Sequence, residues 1–364
     1  MKLVEKLRYK LGSIDLAHPE LKKNILKFGI FAFFGGVLLF LIPNKAIDPW
    51  NLINPGLITL IVIMVVAIQF VAYVVIELWK SEGLLIMGAL IGLVNSNVIN
   101  GTMASITKQN PRLSNHAAAA VVCGNLSMLI RNIVIVTTLS FAAAKFVVPP
   151  LLAMVIAGVI SVFYTLKKTK QKINNPRNKS AISKSSGSES IENPFEVKTA
   201  AIYAGMITII TIAGFLIHSL LGDAGLYATA FLSVYAAGGP IIISVVMLAL
   251  GGHITFMTAA VVVLIASFSS VTNDAILQLM CGAKALAVSF IKVSAPIIAA
   301  GVLVAGVELL IYHSVFSTKS LPFMIIGSIS LIGIFVFFRK MKIKTGLAKY
   351  RRVVGLPFNH FSKR

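Results

Sequence analysis

The chain has 364 residues, of which 57% are hydrophobic and only 12% charged, and its formal net charge is +21. With a mean hydropathy of +0.90, it carries about half the charged fraction of an ordinary soluble domain. This composition excludes a soluble globular enzyme, and the two cysteines, Cys123 and Cys281, exclude a disulfide framework.

Apolar runs long enough to cross a bilayer recur from end to end. Ten are expected: 25–43, 55–79, 83–106, 116–141, 147–166, 197–220, 224–251, 255–280, 285–311 and 320–338. No small-residue cleavage site follows the first, so it reads as an anchor rather than a secretory signal. The runs are too long and too uniformly apolar for barrel strands, and helices satisfy their own backbone in lipid. The expected fold is therefore an all-α polytopic membrane protein. It comprises a basic tail (1–24), a first membrane half (25–166), a polar linker (167–196), a second half (197–338) and a basic tail (339–364).

The third run is interrupted. "GLVNSNVINGTMAS", residues 92–105, places Asn95, Ser96, Asn97, Asn100, Gly101 and Thr102 inside an apolar segment. An amide left unpaired in hydrocarbon costs several kcal/mol, about 2–7. These residues must face protein or a water-filled cavity, where broken backbone also survives. The seventh run has its own break, "YAAGGP" at 235–240, in which Gly238 and Gly239 loosen the helix and Pro240 removes a donor. Small and amide residues also glue ordinary helix pairs together, and that alternative stands beside the functional one.

The halves look related. Residues 55–166 displaced by 142 fall on 197–308, and the two interrupted runs then coincide. Asn125 falls on Ser267, Ser127 on Ser269, and Arg131-Asn132 on Asn273-Asp274. Lysine and arginine are concentrated in 1–27, 167–196 and 339–364, with seven, seven and nine residues. The positive-inside rule puts all three in the cytoplasm. The chain can meet that demand if the third and seventh runs each enter and leave on one side, which makes the two halves inverted repeats, as in many secondary transporters. Ten plain spans with an external linker is the competing topology. A basic protein also invites a nucleic-acid reading, but basic tails on a membrane protein are better explained by topology and by anionic lipid headgroups.

Deep charges are few. Glu77 sits beside Trp79 and Lys80, and Glu308 near a segment end, both at interfacial depth. Arg131, Asp274 and Lys292 lie deeper and need partners or a cavity. The repeat register makes Arg131–Asp274 the natural ion pair, with Lys292 as the alternative partner. Such a pair either pins two helices or acts as a gate or proton-coupled switch. The six histidines are scattered, no metal-ligand spacing occurs, and neither a P-loop nor a nucleophile elbow is present. The sequence leaves any cofactor and homo-oligomerisation open.

The stretches "GLVNSNVINGTMASITKQNP", "AAAAVVCGNLSMLIRNIVIV", "NPFEVKTAAIYAG" and "GDAGLYATAFLS" resemble, in order and spacing, a family of bacterial and archaeal membrane domains of unknown function, DUF4010. Members often follow an MgtC/SapB-type domain, which would imply a link to magnesium homeostasis; here the membrane unit is expected to stand without that domain. The family's first motif, roughly Gly-Leu-Val-Ser-Ser-Thr, is matched by Gly92, Leu93, Val94 and Ser96, while Asn95 and Asn97 depart from it. Arg131 falls on a position where the family commonly has arginine. Ala237 and Gly239 stand where two aspartates would be, and Asn273-Asp274 stands near an expected lysine.

The resulting expectation is a secondary transporter or channel-like protein of the cell membrane for a small polar solute or ion. Its site would lie between the interrupted runs, with Asn95, Ser96, Asn97, Asn100, Gly101, Gly238 and Gly239 lining it. The alternative is a membrane regulator or scaffold, or a protein that binds lipid headgroups through its basic face.

Overall fold

A computed structural model describes residues 19–78, 84–94, 96–169 and 197–311. The helices are α1 (Pro19–Leu41), α2 (Pro55–Leu78), α3 (Leu84–Val94), α4 (Ser96–Gln109), α5 (Ser114–Leu139), α6 (Phe141–Thr169), α7 (Val197–Leu250), α8 (Phe256–Met280) and α9 (Lys284–Ile311). A 3₁₀ turn, Pro111–Leu113, joins α4 to α5, and no strand occurs among the described residues. The expected segment 320–338, most of the linker and the C-terminal tail lie outside them.

Six helical stretches among the described residues are long and apolar enough to cross a membrane; Ile25–Leu41, Leu84–Leu93 and Gly239–Leu250 are apolar but shorter. α5 and α8 form the centre, burying 67% and 83% of their most apolar stretch, against 17–39% for the others. The outer helices turn large apolar side chains outward, among them Phe40, Phe163, Leu220 and Leu303. Lipid tails are as apolar as these side chains, so their exposure costs nothing there.

The expected run 83–106 is two helices, Leu84–Val94 and Ser96–Gln109. Gly88 packs on Ala120, and Gly92 on Gly124, so α3 ascends beside α5 in the same direction. α4 returns antiparallel to α5, with Ile99 against Gly124. Both feet of this first hairpin therefore rest at the end where α5 begins.

The expected runs 197–220 and 224–251 form one helical stretch, α7, that doubles back on itself. Gly222 has φ +63, the left-handed conformation that only glycine adopts cheaply, and the chain reverses there. Further along, a Cβ on Gly214 would lie 3.2 Å from Leu248 Cδ1 and 3.7 Å from Leu226 Cδ2. In a straight helix Leu226 and Leu248 would be ~33 Å apart, so the chain folds again between them. Ser244 Oγ donates to Ile207 O at 3.1 Å, and Gly239 packs on Tyr203. The last arm of α7 thus runs parallel to its first. Thr258 Oγ1, at the start of α8, donates to Asp223 Oδ2 at 3.2 Å. Both feet of this second hairpin rest at the end where α8 begins.

α5 and α8 are antiparallel. Ser270 donates to Met128 Sδ at 3.3 Å, and Asp274 meets the α4 arm that folds back along α5. Helix starts at 55, 114 and 141 recur at 197, 256 and 284, close to the 142-residue displacement read from the sequence.

A loop at 42–54 closes the end where the second hairpin has its feet. Asp48 accepts from the amides of Trp50 at 3.2 Å, Leu52 at 3.0 Å and Ile53 at 2.6 Å. Burial pushes its carboxyl up, but the amides of Leu52, Ile53 and Trp50 outweigh it and hold the pKa below the ordinary value. The loop then reaches His253, whose Nε2 bonds the Trp50 carbonyl.

Candidate functional site

Arg131 stands between the end of α3 and the Gly239 stretch of α7. Its Nη1 donates at 3.1 Å to Leu93 O, a carbonyl in the last turn of α3, where helices leave carbonyls to be satisfied from outside. Its Nη2 lies 3.9 Å from the point where a Cβ on Gly239 would be, and the Tyr203 hydroxyl lies 2.7 Å from the same point. One guanidinium therefore touches the first interruption and flanks the second. Its Nε is buried without a hydrogen-bond partner.

Asp274 is 1% exposed and lies in a separate polar cluster towards the other end of α8. Asn100 Nδ2 donates to Asp274 Oδ1 at 2.7 Å, and Gln278 Nε2 donates to Asn100 Oδ1 at 2.7 Å. Asn125 stands beside the same carboxylate without hydrogen-bond geometry to it. Asp274 Oδ2, Gln278 Oε1 and Ser267 Oγ are buried without partners, and these three residues share one face of α8 at helical spacing.

Several expectations change here. Arg131 and Asp274 do not pair: Leu93 O holds one and Asn100 the other, because α3 ends where Arg131 can reach it. Lys292 is exposed on the outside of α9 and joins neither. Gly101 is not at the break but inside α4, on its exposed side, with nothing within 4 Å of where its Cβ would be. Ser96 and Asn97 form the first turn of α4, and Gly238 and Gly239 lie within α7. Asn95 lies outside the described residues, as do the side chains of Ser96 and Asn97. Asn100 is brought into a buried network. Gln278 and Tyr203 escaped the sequence reading. Gln278 could have been found from its spacing of four from Asp274, which puts both on one helix face. Tyr203 had no local signal. Among the described residues, no group of three His, Cys, Asp or Glu side chains could hold a metal ion.

Apolar helices outside and polar side chains gathered within define a multi-pass helical membrane protein. The chain matches the family described as Domain of unknown function (DUF4010) over residues 63–282, and it belongs to that family. No curated protein and no solved structure matches it.

Proposed function

We propose that this protein is a secondary transporter or channel-like protein for a small solute bearing an anionic or strongly accepting group, held between the tips of its two hairpins. The observation that carries the reading is Arg131, which has no carboxylate partner among the described residues, touches the first interruption and flanks the second. A cation at this depth costs about 2.5–3.5 kcal/mol on insertion scales, and an anionic cargo would offset that cost. α4 also begins at Ser96, so its N-terminus adds positive potential.

The hairpins are read as re-entrant halves of an inverted repeat. That topology supports alternating access, because one half can rock against the other about a fixed site. Charge gives the orientation. Lys108, Arg112, Lys167, Lys168 and Lys284 lie at the end where α5 begins and α8 finishes, whereas Lys45 and Lys145 lie at the other. The first end is assigned to the cytoplasm, with the N-terminal tail and the linker.

The test uses single cysteines at position 97 or 239, in a chain with Cys123 and Cys281 replaced by serine. A small anionic methanethiosulfonate reagent should modify both positions in membranes. Complete protection of both from either side ends the reading.

A further inference from the structure

We infer that Asp274 is the proton-carrying group of this protein, an assignment that rests on the transporter reading and gives its site a coupling ion. A carboxylate buried at 1% exposure must meet a counter-cation, bind one, or be neutral. The charged groups on the surrounding helices are engaged or remote. On α5, Arg131 bonds Leu93 O and His116 lies more than two turns before Asn125. On α4, Lys108 is exposed beside Gly282. On α6, Lys145, Lys167 and Lys168 are exposed near the helix ends. On α7, His218 and Asp223 pair at 3.1 Å at the opposite end of α8. On α9, Lys284 and Lys292 are exposed and Glu308 lies near the helix end.

The hydrogen bonds decide between a metal cation and a proton. Asn100 spends its oxygen on Gln278 and its NH₂ on Asp274 Oδ1. The oxygens left in the cluster are Asp274 Oδ2, Asn125 Oδ1, Gln278 Oε1 and, two turns away, Ser267 Oγ, still too few for a hard cation, which takes six or more. A proton needs only Oδ2. The O–H bond forms there with a proton from water at the Met280 end, six residues or ~9 Å along the helix, and breaks when that proton returns to water. Ionisation turns the Asn100 contact into a charge-assisted bond, about twice as strong as a neutral one. Asn100 belongs to α4, the arm that starts at the break, so the proton on Asp274 sets how tightly that arm is held.

Infrared spectroscopy of the full-length protein in lipid nanodiscs tests this. The wild type should show the carbonyl stretch of a protonated carboxylic acid, Asp274→Asn should lose it, and it should decline on titration to alkaline pH. Wild-type protein with ¹³C-carboxyl aspartate gives the same answer without substitution, since the band must move with the isotope. A band unaltered by both the substitution and the isotope overturns the assignment. So does a band abolished by replacing choline chloride with sodium chloride, which would make the ligand a metal cation. Either result leaves the cysteine-labelling outcome untouched, so failure here is separable from failure of the transporter reading.

Discussion

Gly92 of α3 and Gly124 of α5 cross with backbones in contact, so that a Cβ on Gly92 would fall on Gly124 Cα and its carbonyl. Gly88, one turn earlier, makes the same approach to Ala120 O. Two glycines four apart let membrane helices pack without side chains between them. The crossing holds the first hairpin arm against the central helix and delivers Leu93 O to Arg131.

Gly92→Ala should therefore destabilise the protein by about 1–3 kcal/mol, the range for overpacking a tight contact. Gly101→Ala, also within the first hairpin, should be neutral or stabilising by up to ~1 kcal/mol, since its Cβ meets nothing and alanine favours helix. Thermal unfolding in one detergent ranks the two. Equal effects would mean that the α3–α5 crossing is not close.

Arg131 should select by charge. A cysteine at 239 should react about tenfold faster with an anionic than with a cationic thiol reagent of similar size, once intrinsic rates are divided out. Arg131→Gln should abolish that preference. Labelling kinetics in membranes measure the ratio, and a preference that survives the substitution would remove Arg131 from the site.

The two ends of the bundle should be distinguishable in intact cells. Cysteine at Lys145 should react with a membrane-impermeant reagent added outside, whereas cysteine at Arg112 or at Ser185 in the linker should react only after lysis. Labelling of 112 and 145 from the same side would contradict the two-hairpin topology, because α5 crosses between them.

Asp48 should give the 42–54 loop an acid sensitivity. Its pKa is lowered on folding, so its contribution is present above the unfolded carboxyl value of about 3.9 and is lost as pH falls through the lower folded value. Asp48→Asn should lower the melting temperature at neutral pH, and the gap to wild type should close under strong acid. A gap that stays constant with pH would show that the amide replaces the carboxylate fully.

The sequence alone determined the membrane class, the helical fold and the family. Each rests on local composition or on ordered short motifs, and an apolar run has few options besides a helix in lipid. Partner choice was decided only by the tertiary structure. The repeat register made Arg131 and Asp274 natural partners, but α3 ends beside Arg131 and presents Leu93 O, while α4 carries Asn100 to Asp274, 174 residues away. Gly101 shows the same limit: sequence marks it as a place to bend, yet Gly101 stays inside the Ser96–Gln109 helix. Which polar group meets which depends on helix depth and rotation, and those are set by side-chain packing between segments far apart in sequence.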